Sequence, residues 1–70
     1  MVFERLRELR REKGYTQEKV ASLLGVDRRT YSAYENGVNC LNAQTLIMLS
    51  KIYGASIDYM LGQTDRRKYR

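Results

Sequence analysis

Arg28 and Arg29 stand side by side directly after Asp27 and are followed at helical spacing by Ser32, Ala33 and Asn36. At about 100° per residue, these five positions fall within an arc of about 140°, with Tyr31 and Tyr34 opposite. One face is therefore basic, polar and small, and the other is aromatic. Thr30 flanks the aromatic side, and Glu35 falls at the border between Tyr31 and Arg28. Charged pairs on a helix are usually a solvated face. Here the small Ser32 and Ala33, one turn beyond the arginines, would let that face approach the floor of a groove, where a guanidinium can bond guanine O6 and N7 together.

Those side chains need two helices set at a fixed crossing. Thr16 is a good N-cap, Gln17 opens a helix that runs to about Leu24, and Val20, Ala21 and Leu24 face inward. Gly25 supplies the left-handed conformation that ends it. Val26 plugs the turn, and Asp27 caps the next helix, Arg28 to about Asn36, with a negative charge at its positive end. Two helices this close in sequence, the second led by two arginines, form the arrangement of a helix-turn-helix reader of DNA.

The flanking segments supply the rest of the core. Residues 2–13 form an amphipathic first helix with Val2, Phe3, Leu6 and Leu9 on one side. Arg10 lands between Phe3 and Leu6, so it must reach water or a buried carboxylate, because an unpaired buried charge costs several kcal/mol. Asn42 caps a fourth helix, Ala43 to Tyr53, whose stripe is Leu46, Leu49 and Tyr53, with Ala43 and Ser50 beside it. Met48 and Ile52 form an apolar pair directed away from that stripe. Gly54 ends this helix, Ser56 caps a short fifth one, and Ile57, Met60 and Leu61 pack it. Residues 63–70 are charged, without a core residue, and are expected to be a disordered basic tail after a single domain over 1–62. Proline is absent, and no segment alternates with period two for long enough to suggest a sheet, so the class is all-α with about five helices.

Composition narrows the function. Seventy residues allow one small core, and one cysteine and no histidine leave no disulfide framework and no ordinary zinc site. Cys40 is expected to be a small, partly buried residue; a reactive thiol or an intermolecular link is the other reading. Leu46 to Leu49, the longest apolar run, is far short of the ~20 residues of a membrane span. Residues 2–13 carry charges where a signal peptide would be apolar. A cytoplasmic protein is expected, with no membrane partner. The net charge is +5, its excess lying in the first fifteen residues and in the tail from Arg66, and it points to a polyanion. With no metal-ligand cluster, no glycine-rich phosphate loop and no base beside Cys40, neither an enzyme nor a cofactor is expected.

In order and spacing, Leu6-Arg7-Glu8-Leu9-Arg10 with Lys13-Gly14, Thr16-Gln17-Glu18 with Val20-Ala21, Gly25-Val26-Asp27-Arg28, Tyr34-Glu35-Asn36-Gly37 and Ser56 to Gly62 resemble the phage repressor and Cro-like, or XRE-type, helix-turn-helix family. The resemblance covers residues 3 to 62. It implies a compact five-helix, lambda-repressor-like DNA-binding domain whose third helix lies in the major groove and which binds a palindromic operator as a dimer. It places Gln17 on a phosphate, bracing the start of helix three, and Arg28, Arg29, Thr30, Ser32 and Ala33 where the family reads bases or nearby backbone. Asn36, Val38 and Asn39 fall along the phosphates with backbone amides available, and Arg10 and Glu35 form a structural ion pair. The sequence departs from the family in Leu41, where many members have proline, in Tyr31, whose hydroxyl needs a partner, and in Asp27, whose charge repels phosphate.

The function so implied is a sequence-specific transcriptional regulator of double-stranded DNA, a repressor of phage, plasmid or mobile-element type. A chain of this size is expected to lack a sensor domain and to be regulated by concentration, a protein partner or removal. Met48, Ile52, Tyr59 and Met60 are the candidate homodimer surface. The alternative is a protein-interaction module, an adaptor or anti-regulator, that keeps the fold without specific DNA binding. Steep salt dependence of duplex binding separates the two.

Overall fold

The computed structural model describes residues 3–38 and 41–67, which form five helices in the order α1 (Glu4–Glu12), α2 (Gln17–Leu24), α3 (Arg28–Glu35), α4 (Ala43–Tyr53) and α5 (Ile57–Met60). Four begin on a side chain that the sequence marks as a cap. Thr16 Oγ1 accepts from the Lys19 amide at 3.0 Å, Asp27 Oδ1 from Thr30 at 2.7 Å, Asn42 Oδ1 from Thr45 at 2.7 Å and Ser56 Oγ from Tyr59 at 3.1 Å. Helix α1 has no side-chain cap. Instead the Phe3 amide donates to the carbonyl of Glu35 at 2.9 Å, so the start of α1 is tied to the end of α3. That bond holds Phe3 outside the helix, and α1 starts at Glu4, later than the expected start; Val2 lies outside the described residues.

The turn between α2 and α3 is closed by backbone bonds that require a left-handed residue. Gly25 has φ 77°, which lets its own amide reach Ser22 O at 3.2 Å and the Val26 amide reach Ala21 O at 3.0 Å. The carbonyls at the end of α2 are thereby satisfied, and Asp27 can start α3 with extended backbone. A Cβ added at Gly25 would meet nothing within 4 Å, so glycine is needed there for its backbone angle alone.

The core gathers Leu6 and Leu9 from α1, Val20 and Ala21 from α2, Tyr31 from α3, Leu49 and Tyr53 from α4, then Ala55 and Met60. Leu24, Val26, Tyr34, Leu41, Leu46, Ile52 and Ile57 pack half-buried around it. Tyr31 is fully buried, and its hydroxyl meets that of Tyr53 at 2.5 Å. Burial raises the pKa of both phenols, that of Tyr53 to about 12. This bond supplies the partner that the Tyr31 hydroxyl needs, and no buried side-chain N or O among the described residues is left without one. Tyr34 meets the Tyr31 ring edge to face at 6.4 Å.

Residues 63–67, expected as the start of a free tail, instead run back against α1 and α5. Arg5 Nη1 donates to Tyr59 O at 3.1 Å and Thr64 O at 2.5 Å, and Arg5 Nη2 to Asp65 Oδ1 at 2.9 Å. The Ser56 amide donates to Arg67 O at 2.5 Å, and Arg67 pairs with Glu12. Arg5 and Arg67 both stack on the Tyr59 ring, at 4.2 and 5.7 Å from its centroid. The expectation of disorder looked for an apolar anchor; a guanidinium on α1 collecting carbonyl oxygens holds the segment without one. The rest of the tail, from Lys68, lies outside the described residues.

Gly25→Ala is expected to destabilise the domain by about 1 kcal/mol or slightly more, since the new Cβ is strained at positive φ without clashing. Urea unfolding followed by circular dichroism measures this, with an unchanged slope showing that the native state is otherwise kept.

Candidate nucleic-acid interface

Glu35, at the last position of α3, has a carboxylate that is only 1% exposed. Arg10 Nε donates to its Oε2 at 2.7 Å, while Arg10 Nη2 at 3.4 Å and Gln17 Nε2 at 3.1 Å donate to Oε1. The Tyr31 hydroxyl, bonded to that of Tyr53, also favours the charged form of the carboxylate. Burial pushes the Glu35 pKa up, but the hydrogen bonds from Arg10, Tyr31 and Gln17 and the Arg10 charge outweigh it and hold the pKa below the ordinary carboxylate range. The Arg10 pKa moves up, chiefly through its bond to Glu35. Arg10 is further fixed by donation from Nη1 to Tyr15 O at 3.1 Å. One carboxylate thus joins α1, α2 and α3, and the arginine on the apolar side of α1 has its partner.

Gln17 carries this order to the start of α3. With Nε2 committed to Glu35, its Oε1 faces Arg28 Nη1 at 3.5 Å. The second hydrogen of the Gln17 amide remains available to an external acceptor. Arg28 and Arg29 are exposed at the head of α3, Thr30, Ser32 and Ala33 are half-buried along it, and Asn36 is exposed at its end. The face read from the sequence is therefore one continuous surface of α3, with Tyr31 and Glu35 anchoring the opposite side. Asp27 is exposed, and its pKa is lowered by hydrogen bonds from the Thr30 hydroxyl and amide. Its charge is spent on capping α3.

Two expectations change at the far end. The amides of Asn36 and Val38 were to be available to phosphates, but they donate to Ser32 O at 3.0 Å and Ala33 O at 2.9 Å, and the Gly37 amide between them donates to Tyr34 O at 3.2 Å. Gly37, at φ 72°, folds the chain back so that these amides close α3. What remains outward is the side chain of Asn36 and that of Val38, which is 76% exposed. Asn39 and Cys40 lie outside the described residues. The candidate dimer surface is also divided. Met60 is a core residue at 1% exposure and cannot be offered to a second chain, because its side chain is already enclosed in the core cluster. The Tyr59 ring is covered by Arg5 and Arg67. Ile52 is half-buried against the core rather than directed away from it, and Met48 is half-buried. Ile47, which sequence reasoning passed over, is 48% exposed beside them.

Among the described residues, no three potential metal ligands cluster, and no helix is long and apolar enough to cross a membrane. Sequence reasoning assigned no role to Arg7, whose Nε lies 3.9 Å from Glu35 Oε1. Its spacing of three from Arg10, which puts both on one side of α1, was the available signal.

The helix-turn-helix family profile matches residues 6–60. The chain belongs to that family, the phage repressor and Cro-like, XRE-type one. This helix-turn-helix domain is 42% identical over 64 residues to the SPbeta prophage-derived uncharacterized HTH-type transcriptional regulator YonR of Bacillus subtilis (strain 168), covering 91% of this chain and 59% of that protein. It is 37% identical over 65 residues to the HTH-type transcriptional regulator ImmR of the same organism, covering 93% and 51%. It is also 35% identical over 65 residues to the cryptic phage CTXphi transcriptional repressor RstR of Vibrio cholerae, covering 93% and 59%. The chain thus spans between half and three fifths of the length of these relatives.

Glu35→Ala is expected to cost about 3 to 5 kcal/mol, because it strands the Arg10 guanidinium among apolar side chains. Because the folded-state pKa of Glu35 is depressed, its contribution is present above the ordinary value of 4.5 and lost as pH falls through the folded-state value. Thermal melts from pH 7 to 2 are expected to show a loss of stability below pH 4.5 that Glu35→Gln, with no charge to lose, shows in reduced form.

Proposed function

We propose that this domain recognises double-stranded DNA by sequence, laying α3 in the major groove, and that it acts as a homodimer on a palindromic operator as a cytoplasmic repressor of phage, plasmid or mobile-element type. The observation that carries the reading is the division of α3: Arg28 and Arg29 are exposed beside the smaller Ser32 and Ala33, while Tyr31 and Glu35 fix the opposite side in the core. A recognition helix needs that combination, because base reading requires donors held at a set depth rather than on a mobile surface.

In this reading Arg28 and Arg29 contact base edges, while Thr30, Ser32 and Ala33 define how closely α3 approaches. Gln17, with its remaining amide hydrogen, and Asn36, through its side chain, hold phosphates. Val38 offers an apolar contact beyond the end of α3, and Asn39 is kept as a candidate phosphate contact. One α3 reaches few base pairs, so two symmetric copies roughly double the specific free energy. Met48 and Ile52, joined by Ile47, supply the apolar surface for pairing. The names of the relatives, two of them tied to phage, support the regulatory role.

Arg28→Ala and Arg29→Ala are each expected to keep the melting temperature while weakening binding to a selected duplex by about 1 to 3 kcal/mol. Selection from a random duplex pool supplies that duplex and its half-site spacing, and titration across salt is expected to show a slope of about one log unit per phosphate contact. No enriched sequence, with flat binding at low salt, would overturn DNA reading in favour of a protein-interaction module.

A further inference from the structure

Arg7 is held beside Glu35 without being used by it. Its Nε is 3.9 Å from Glu35 Oε1, within ion-pair range and beyond a hydrogen bond, and its side chain is 38% exposed. A carboxylate has about four acceptor sites. Those of Glu35 receive the two Arg10 donors and Gln17 Nε2. Among the described residues, no acceptor receives a hydrogen bond from the Arg7 guanidinium. Two guanidiniums thus share one carboxylate that takes its hydrogen bonds from Arg10 and Gln17, and the partly exposed Arg7 carries the excess positive charge.

The place of that charge is fixed by a shared atom. Glu35 Oε1 takes the Gln17 amide at 3.1 Å and has Arg7 Nε at 3.9 Å, so both side chains converge on one oxygen. Beyond Gln17, Arg28 follows at 3.5 Å. Arg7 from α1, Gln17 from α2 and Arg28 from α3 are thereby linked through Glu35 and Gln17. The charged groups around Arg7 on its own helix are Glu4, Glu8 and Arg11, all exposed, and none forms an ion pair with it.

We propose that Arg7 is a phosphate-binding residue: it hydrogen-bonds a backbone phosphodiester of the operator alongside the one held by Gln17, adding α1 to the DNA interface. The inference rests on the DNA-binding reading above. Attraction to Glu35 at 3.9 Å keeps the guanidinium near its working position, while its N–H donors, which make no hydrogen bond to Glu35, are free for the phosphodiester. Its contribution is blind to sequence, in contrast to the base contacts of Arg28 and Arg29.

The test compares the wild-type chain, Arg7→Gln and Arg7→Lys on the selected duplex and on a scrambled duplex across salt. Arg7→Gln is expected to weaken both duplexes by the same factor and to lower the slope of log affinity against log salt by about one, with Arg7→Lys restoring most of that slope. A purely structural Arg7 would not move the salt slope. In parallel, the Nε–Hε resonance of Arg7 in the wild-type chain is expected to shift on adding duplex, a readout that does not depend on how the variants fold. A steep wild-type slope that Arg7→Gln retains, or an Arg7 resonance unmoved by saturating duplex, overturns the proposal and leaves the DNA-binding reading standing. A wild-type chain with no salt-dependent duplex affinity overturns both.

Discussion

Burying the Glu35 carboxylate at the end of α3 places a demand on the rest of the molecule, because an ion without partners in that position costs more than a domain of this size can spare. The demand is met from three directions: Arg10 from α1, Gln17 from α2 and Tyr31 from α3 itself. Each of those side chains is then no longer free to place itself. Arg10 must lie on the apolar side of its helix, Gln17 must turn its oxygen toward Arg28, and Tyr31 must bring its hydroxyl to a site where only Tyr53 can complete it. The Phe3 amide on the Glu35 carbonyl adds a backbone tie at the same point. The crossing of α1 over α3 and the attitude of the reading face follow from where one carboxylate can be neutralised.

Holding α3 from behind is what makes its outer face useful. A long arginine on a loosely held helix samples many positions, and its bidentate bond to a base would be offset by the entropy of finding it. Here the helix is capped by Asp27 at its start, closed by the Gly37 turn at its end and packed through Tyr31 and Tyr34 along its length. The closure has a chemical consequence as well. Because the amides of Asn36 and Val38 finish the helix, only side chains at that end are left to meet a partner.

Much of this architecture is legible in the amino-acid sequence. Caps at Thr16, Asp27, Asn42 and Ser56 and stops at Gly25 and Gly54 are local, and local signals survive folding intact. Arg10 on the apolar side of α1 called for either water or a buried carboxylate, and the family pattern named Glu35 as its partner. What escaped were features set by long-range geometry. The Tyr31 and Tyr53 bond joins residues 22 positions apart, the Arg5 contacts with Thr64 and Asp65 span 59 and 60 positions, and neither has a periodic signature. Met60 was ambiguous for a related reason. On a helix of only 4 residues, spacing does not separate a core position from an exposed one. Arg7 was visible as a residue but its place was not, since its proximity to Glu35, at 3.9 Å, is set by how α1 crosses α3.

A double-mutant cycle on Arg10→Met and Glu35→Leu tests most directly whether this ion pair organises the fold. The account predicts that each single substitution is strongly destabilising while the double variant recovers much of the loss, giving a coupling of about 2 to 3 kcal/mol between the two positions. Effects that add to within about 0.5 kcal/mol would contradict it.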